Sequence, residues 1–182
     1  AKVLDVRGTK IAFLGIAKIN GGAGTVASGD YAGTTDGWDQ QVIELAIKAA
    51  ARQAKAVIVY THWGVEERTC PEKSDVEMAQ KWLEWGATAI IGSHPHRQQP
   101  YVLNNGKLID YSLGNFVFYS GSAGAVNSGV GLLTLAPTGE VLKYQFKPAL
   151  INPLNGSVKF LNGEAAKRAI AAKQSKCVAL GN

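Results

Sequence analysis

The chain has 182 residues, 46% apolar and 18% charged, enough apolar material for one domain or a large part of one and too little charge for a disordered segment. Its net charge is +5, but the cations are scattered and not interleaved with aromatics, which argues against a nucleic-acid binder and leaves an anionic ligand in view. No apolar stretch reaches the ~18 residues of a membrane helix, and no charged-then-apolar signal segment opens the chain.

Residues 1–6 and 10–16 are β-rich runs joined around Arg7-Gly8-Thr9, which predicts a hairpin. Residues 20–37, rich in Gly, Thr and Ser, form a long loop without the G-K-[ST] ending of a phosphate-binding loop, and read as a lid or a connector. Residues 38–54 place Val42, Ile43, Ala46, Ile47, Ala49 and Ala50 on one helical face. Residues 56–61 suit a buried parallel strand. A second helix is expected over residues 74–85, opened by the capping box Ser74/Glu77, with Val76, Ala79, Trp82 and Leu83 buried and Gly86 at its end. Residues 88–91 form another short buried strand, so residues 56–91 read as a right-handed βαβ unit. Asn105-Gly106 joins residues 101–103 to 107–113 as a type I′ hairpin. Strands are expected at 117–119, 131–136 and 141–146, and a short helix at 163–173. The front of the chain is thus α/β and the back antiparallel β.

Cys70 and Cys177 are the only cysteines. They form no zinc pattern, and both a single bridge and two buried thiols stay open.

The histidines carry the chemical signal. His62 follows the strand at 56–61, and His94 and His96 follow the strand at 88–91. Ligands of open α/β sheets bind at the carboxyl ends of parallel strands. Pro95 pushes His94 toward extended geometry, in which residues two apart point the same way. Both imidazoles would then face one ion, with His62 completing a nitrogen cluster for zinc, manganese or iron. Glu66 and Glu67 share the rim as ligand, anchor or base, against the plainer reading of solvated loop charges. Asn115 suits a substrate oxygen or a ligand-orienting role, or is simply a turn residue. Arg97 follows the double histidine and suits an anion, against the simpler reading of a surface arginine, and Ser112 ends the strand before Asn115. Trp82 and Trp85 read as core and partial surface.

The pieces His62-Trp63-Gly64 with Glu66, Ile91-Gly92-Ser93-His94-Pro95-His96, Gly106-Lys107-Leu108-Ile109 and Tyr111-Ser112-Leu113-Gly114-Asn115-Phe116-Val117-Phe118 stand in order. Over residues 3–135 the chain resembles the CapA family of poly-γ-glutamate capsule synthesis, itself similar in fold to calcineurin-like metallophosphoesterases. That resemblance implies a four-layer α/β/β/α sandwich with a site for two divalent ions (manganese, iron or zinc). Its ligands here would be His62, His94 and His96. Glu66 and Asn115 would be catalytic, Arg97 and Ser112 would bind substrate, and the reaction would be hydrolysis or transfer at a phosphate ester or related anionic centre. Asp75 stands where the family commonly has Gln, and Gln80 where His is common. The family's early Asp and Asn-His motifs have no match. Residues 1–150 are therefore expected to be the C-terminal portion of such a domain, completed by an upstream segment or a second chain, with residues 151–182 an unplaced tail. The partner implied is an anionic phosphate-containing or polyglutamate substrate, and the setting a bacterial envelope outside the cytoplasm. The alternatives are a non-catalytic surface-anchoring module with a vestigial metal site, and a mononuclear zinc hydrolase.

Overall fold

A computed structural model describes residues 1–19, 25–118, 122, 124–175 and 177. Strands β1 (Lys2–Val6) and β2 (Thr9–Ala17) pair antiparallel. Between them Arg7 and Gly8 take φ values of 53° and 83°, the left-handed pair that a two-residue hairpin turn needs. Helix α1 (Gln40–Ala51) is shorter than expected at both ends and starts where the Asp39 carboxylate accepts from Val42 N–H at 3.0 Å. Strand β3 (Ala56–His62), helix α2 (Lys73–Glu84) and strand β4 (Ala89–Ser93) follow, with β3 and β4 parallel neighbours. The expected capping box is not formed. Glu72 is the N-cap and offers no side-chain bond. Ser74 lies inside the first turn, where its hydroxyl accepts from Lys18 Nζ at 3.2 Å.

Strands β5 (Gln98–Asn104) and β6 (Lys107–Leu113) form the Asn105-Gly106 hairpin and complete a six-stranded sheet ordered β1-β2-β3-β4-β6-β5. A second, antiparallel sheet holds β7 (Asn127–Leu135), β8 (Val141–Ile151) and β9 (Val158–Phe160) in that order. Strand β9 escaped the sequence reading because it is only three residues long. The strand expected at 117–119 is not seen at its described residues: Val117 has φ 48°, incompatible with a ladder, and Tyr119 lies outside the described residues. Helix α3 (Gly163–Gln174) packs against β5 and β8 and so bridges the two sheets.

On one face of the large sheet, Ala12, Leu14, Ile16, Val57 and Val59 meet Ile43, Ile47, Ala79 and Trp82 of the two helices. On the other, Ala89 and Leu108 meet Val141, Tyr144 and Phe146 of the second sheet. That second cover is partial. Leu4, Val6, Phe13 and Tyr60 are exposed. A crevice of about 290 Å³ is lined by Phe13, Ile58, Ile91, Leu113, Leu133 and Tyr144. The result is a mixed α/β fold, consistent with part of a metallophosphoesterase-like sandwich. Among the described residues no helix is long and apolar enough to cross a membrane.

Between the sheets lies a buried polar knot. Lys173 Nζ donates to Asp110 Oδ1 at 2.9 Å, to Ser112 O at 2.8 Å and to Gln99 O, while Tyr144 donates to Asp110 Oδ2 at 2.6 Å. Burial raises the Asp110 pKa and lowers that of Lys173, and their mutual pairing opposes both shifts. The tail helix is therefore tied into the core, not left as an appendage.

Candidate functional site at the carboxyl ends of β3 and β4

Parallel pairing of β3 with β4 sets His62 opposite Ser93 and brings His94 immediately beyond it. His94 Nδ1 lies 3.0 Å from His62 Nε2, with ring centroids 4.6 Å apart. Two nitrogens each ~2.1 Å from one ion, at angles between square and tetrahedral, stand about 3.0–3.4 Å apart. The separation suits an N–H···N hydrogen bond between the rings in the metal-free chain and equally a pair of nitrogens on one ion. The Ser93 hydroxyl donates to Thr61 O at 3.1 Å and sits 3.3 Å from His62 Nδ1, where it can accept. That arrangement places the His62 proton on Nδ1 and leaves the Nε2 lone pair facing His94, the outer-shell support common for ligating imidazoles.

His96 stands apart. Its ring centroid is 6.2 Å from that of His94. Its Nδ1 lies 2.7 Å from Asn115 Oδ1, and Asn115 Nδ2 in turn donates to Ala125 O at 3.3 Å. The amide is thus oriented to accept from Nδ1–H, and in the neutral ring the Nε2 lone pair is then free. The expectation that His94 is extended, so that both imidazoles face one point, is corrected here. His94 and His96 have φ values of 101° and 55°, because the segment turns around Pro95, whose carbonyl accepts from Glu67 N–H at 2.8 Å. Non-glycine residues in such geometry store about 1–3 kcal/mol each and gather at functional sites.

Burial lowers the pKa of His62, helped by the charges of His94 and His96. Burial lowers that of His94 too, opposed by the nearby Glu66 carboxylate. Both rings are therefore biased toward the neutral form that a metal requires. Glu66 is exposed on the rim. Glu67 is engaged by Arg97, which also reaches Ser122 Oγ at 3.4 Å. Arg97 thereby braces the loop of residues 63–72 and does not lie open to an anion. Ser112 is fully buried, and its hydroxyl accepts from Gly114 N–H at 3.2 Å. It shapes the turn into Asn115 and does not face a substrate. Among the described residues no three His, Cys, Asp or Glu side chains converge tightly enough to hold an ion by themselves.

Residues 1–120 match the family described as bacterial capsule synthesis protein PGA_cap. The chain belongs to that family. It is 36% identical over 116 residues to the PGA biosynthesis protein CapA of Bacillus subtilis (strain 168), covering 64% of this chain and 30% of that protein. It is 32% identical over 120 residues to the capsule biosynthesis protein CapA of Bacillus anthracis, covering 64% of this chain and 29% of that protein. The chain thus spans about 30% of the length of the curated relatives it matches.

In this PGA_cap member Asp75 has a structural role. Asp75 is buried and pairs with Lys18 Nζ at 2.5 Å; Lys18 sits 4.5 Å from the Trp38 ring. The Lys18 backbone N–H donates to His62 O at 2.8 Å, so the pair props the carboxyl end of β3 from its helix side. Sequence reasoning missed Lys18 and Ser93. Lys18 directly follows β2, as His62 ends the neighbouring β3, and that position is the signal by which it could have been found. The structure also pairs Cys70 with Cys177.

Proposed function

We propose that this chain carries part of a divalent-metal, phosphoesterase-type site of a capsule-synthesis protein in the bacterial envelope. The observation that supports it most is the 3.0 Å separation of His62 Nε2 and His94 Nδ1, two nitrogens biased to be neutral. His62, His94 and His96 would hold manganese, iron or zinc. When bound, such ions lower the pKa of water and neutralise charge developing at a phosphoryl centre. Asn115 holds the His96 tautomer, and Glu66 offers a carboxylate at the rim for proton transfer. The substrate would be an anionic phosphate ester or polyglutamate-linked group. The exposed face formed by Leu4, Val6, Phe13 and Tyr60 would be covered by a further segment or a second chain, which would also bring the missing carboxylate ligands. The disulfide fits an oxidising compartment.

A non-catalytic module with a vestigial site is the second reading, favoured by the absence of a three-ligand cluster among the described residues. Titration of the chain with Zn²⁺ and Mn²⁺ separates the two. The metal reading expects saturable binding that weakens at least ~10-fold in His62→Ala and in His94→Ala. Binding that neither change affects, or none at all, sinks it.

A further inference from the structure

The loop of residues 63–72 leaves the carboxyl end of β3, carries Glu66 and Glu67, and is exposed from Val65 to Cys70. Trp63 anchors its start in the core, and three groups of contacts hold its exposed stretch. Toward the histidines, Glu67 N–H donates to Pro95 O at 2.8 Å and its carboxylate pairs with Arg97. Toward β5, the buried Gln99 side chain donates to Arg68 O at 3.1 Å and Cys70 O at 2.9 Å. The third is covalent: Cys70 is bonded to Cys177, with their Cα atoms 5.6 Å apart.

The helix that precedes the far end of that covalent tie is anchored in the core. Cys177 lies just beyond α3, and α3 is locked by Lys173 in the Asp110 knot. Next to it, the Gln174 carboxamide accepts from Tyr101 N–H at 2.9 Å and donates to Tyr101 O at 3.0 Å, as a partner strand would. Gln99 links both sides, since its side chain holds the loop and its carbonyl takes the Lys173 ammonium. A continuous path thus runs from the tail through the disulfide and the loop to Pro95, between the two strained histidines. Arg97 and Gln99 are buried, but the groups they hold, the Glu67 carboxylate and the carbonyls of Arg68 and Cys70, belong to exposed residues for which water competes. The disulfide has no such competitor.

We propose that the Cys70–Cys177 disulfide is a redox latch for the histidine site: formed, it holds the loop carboxylates beside His94 and His96; reduced, it lets residues 65–70 leave the rim. Cys70 and Cys177 are positioning residues in this scheme. Closing the latch removes two electrons and two protons from the two thiols and passes them to a disulfide-bearing oxidant, which becomes a dithiol; a phosphine or dithiol reductant reverses it. The site is then assembled only where disulfides persist. The proposal rests on the metal-site reading above.

The test compares the full chain oxidised, phosphine-reduced and as Cys70→Ser/Cys177→Ser. Amide hydrogen exchange at residues 65–70 and at 94, 96 and 97 should accelerate at least ~10-fold in both latch-open forms. Amides of α1, β3 and β4 should not change. Affinity for Zn²⁺ or Mn²⁺ should fall about 10- to 100-fold, and re-oxidation of the reduced chain should restore both readouts. Unchanged exchange around the histidines would make the bridge a passive staple and overturn the proposal. Loss of protection throughout the chain would overturn it too, since the bridge would then hold the whole fold. If neither state binds metal, the metal reading fails while the exchange pattern still decides the latch.

Discussion

The two faces of the six-stranded sheet share their strands but not their manner of closure. The helix face is covered by α1 and α2, elements adjacent in sequence to the strands they cover, and its core stacks Trp63 on Trp82 and Tyr111 with centroids 5.6 and 6.1 Å apart. Trp63 also donates to Tyr111 O at 2.9 Å. The opposite face is covered by β7 and β8, which come from the far half of the chain, and by a polar knot anchored on α3. It leaves Leu4, Val6, Phe13 and Tyr60 in water. Local connection buries the strands next to α1 and α2, while closure by distant segments fills only what those segments reach. The histidines stand at the end of the sheet where the two kinds of packing meet.

The comparison can be broken most directly on the filled side. Trp82→Ala should cost about 3–5 kcal/mol in urea unfolding, because a fully buried indole leaves a cavity that the neighbouring rings cannot fill. On the other side, Lys173→Met should cost roughly 2–4 kcal/mol by stranding Asp110. The loss should grow as pH rises, since an unpaired buried carboxylate favours its protonated form. Adding Asp110→Asn should recover part of the stability and flatten that pH dependence. A Lys173→Met chain as stable as the parent would show that the knot contributes nothing to closing this face.

At the junction, His94→Gly should raise stability by about 1 kcal/mol by relieving the positive φ, yet weaken metal binding at least ~10-fold. A stability loss together with unchanged metal affinity would mark His94 as structural. On the open face, Phe13→Ser should cost only about 1–2 kcal/mol, well below a fully buried ring, and reduce self-association in light scattering, because the ring is 41% exposed. A large loss would mean the face is covered after all. The smallest effect expected is on pH dependence. His62 and His94 have folded values below 6.5, so the unfolded chain takes protons first. Their contribution is complete above pH 6.5 and is lost as pH falls from there toward the folded values. Melting temperatures of the metal-free chain should therefore drop across that window, and less so in His62→Gln/His94→Gln.

Much of this was readable along the chain because it depends on neighbours in sequence. Asn105-Gly106 forces a hairpin whatever surrounds it. The spacing of Ile43, Ile47 and Ala50 buries one face of α1, and a strand ending at His62 delivers that ring to the rim. Family membership was legible in the ordered pieces from His62 to Phe118. What the tertiary structure decided depends on contacts across many residues. Ser74 and Glu77 carry the letters of a capping box, but Lys18, 56 residues away, takes the Ser74 hydroxyl. Pro95 biases His94 toward extended backbone, yet the hydrogen bond from Glu67 and the turn around it hold φ at 101°. The two cysteines were undecidable until α3, pinned by Lys173 and Gln174, brought Cys177 to Cys70 over a separation of 107 residues. Local propensity sets which elements exist. Which polar groups end up paired is set by burial, which no short stretch of sequence can foresee.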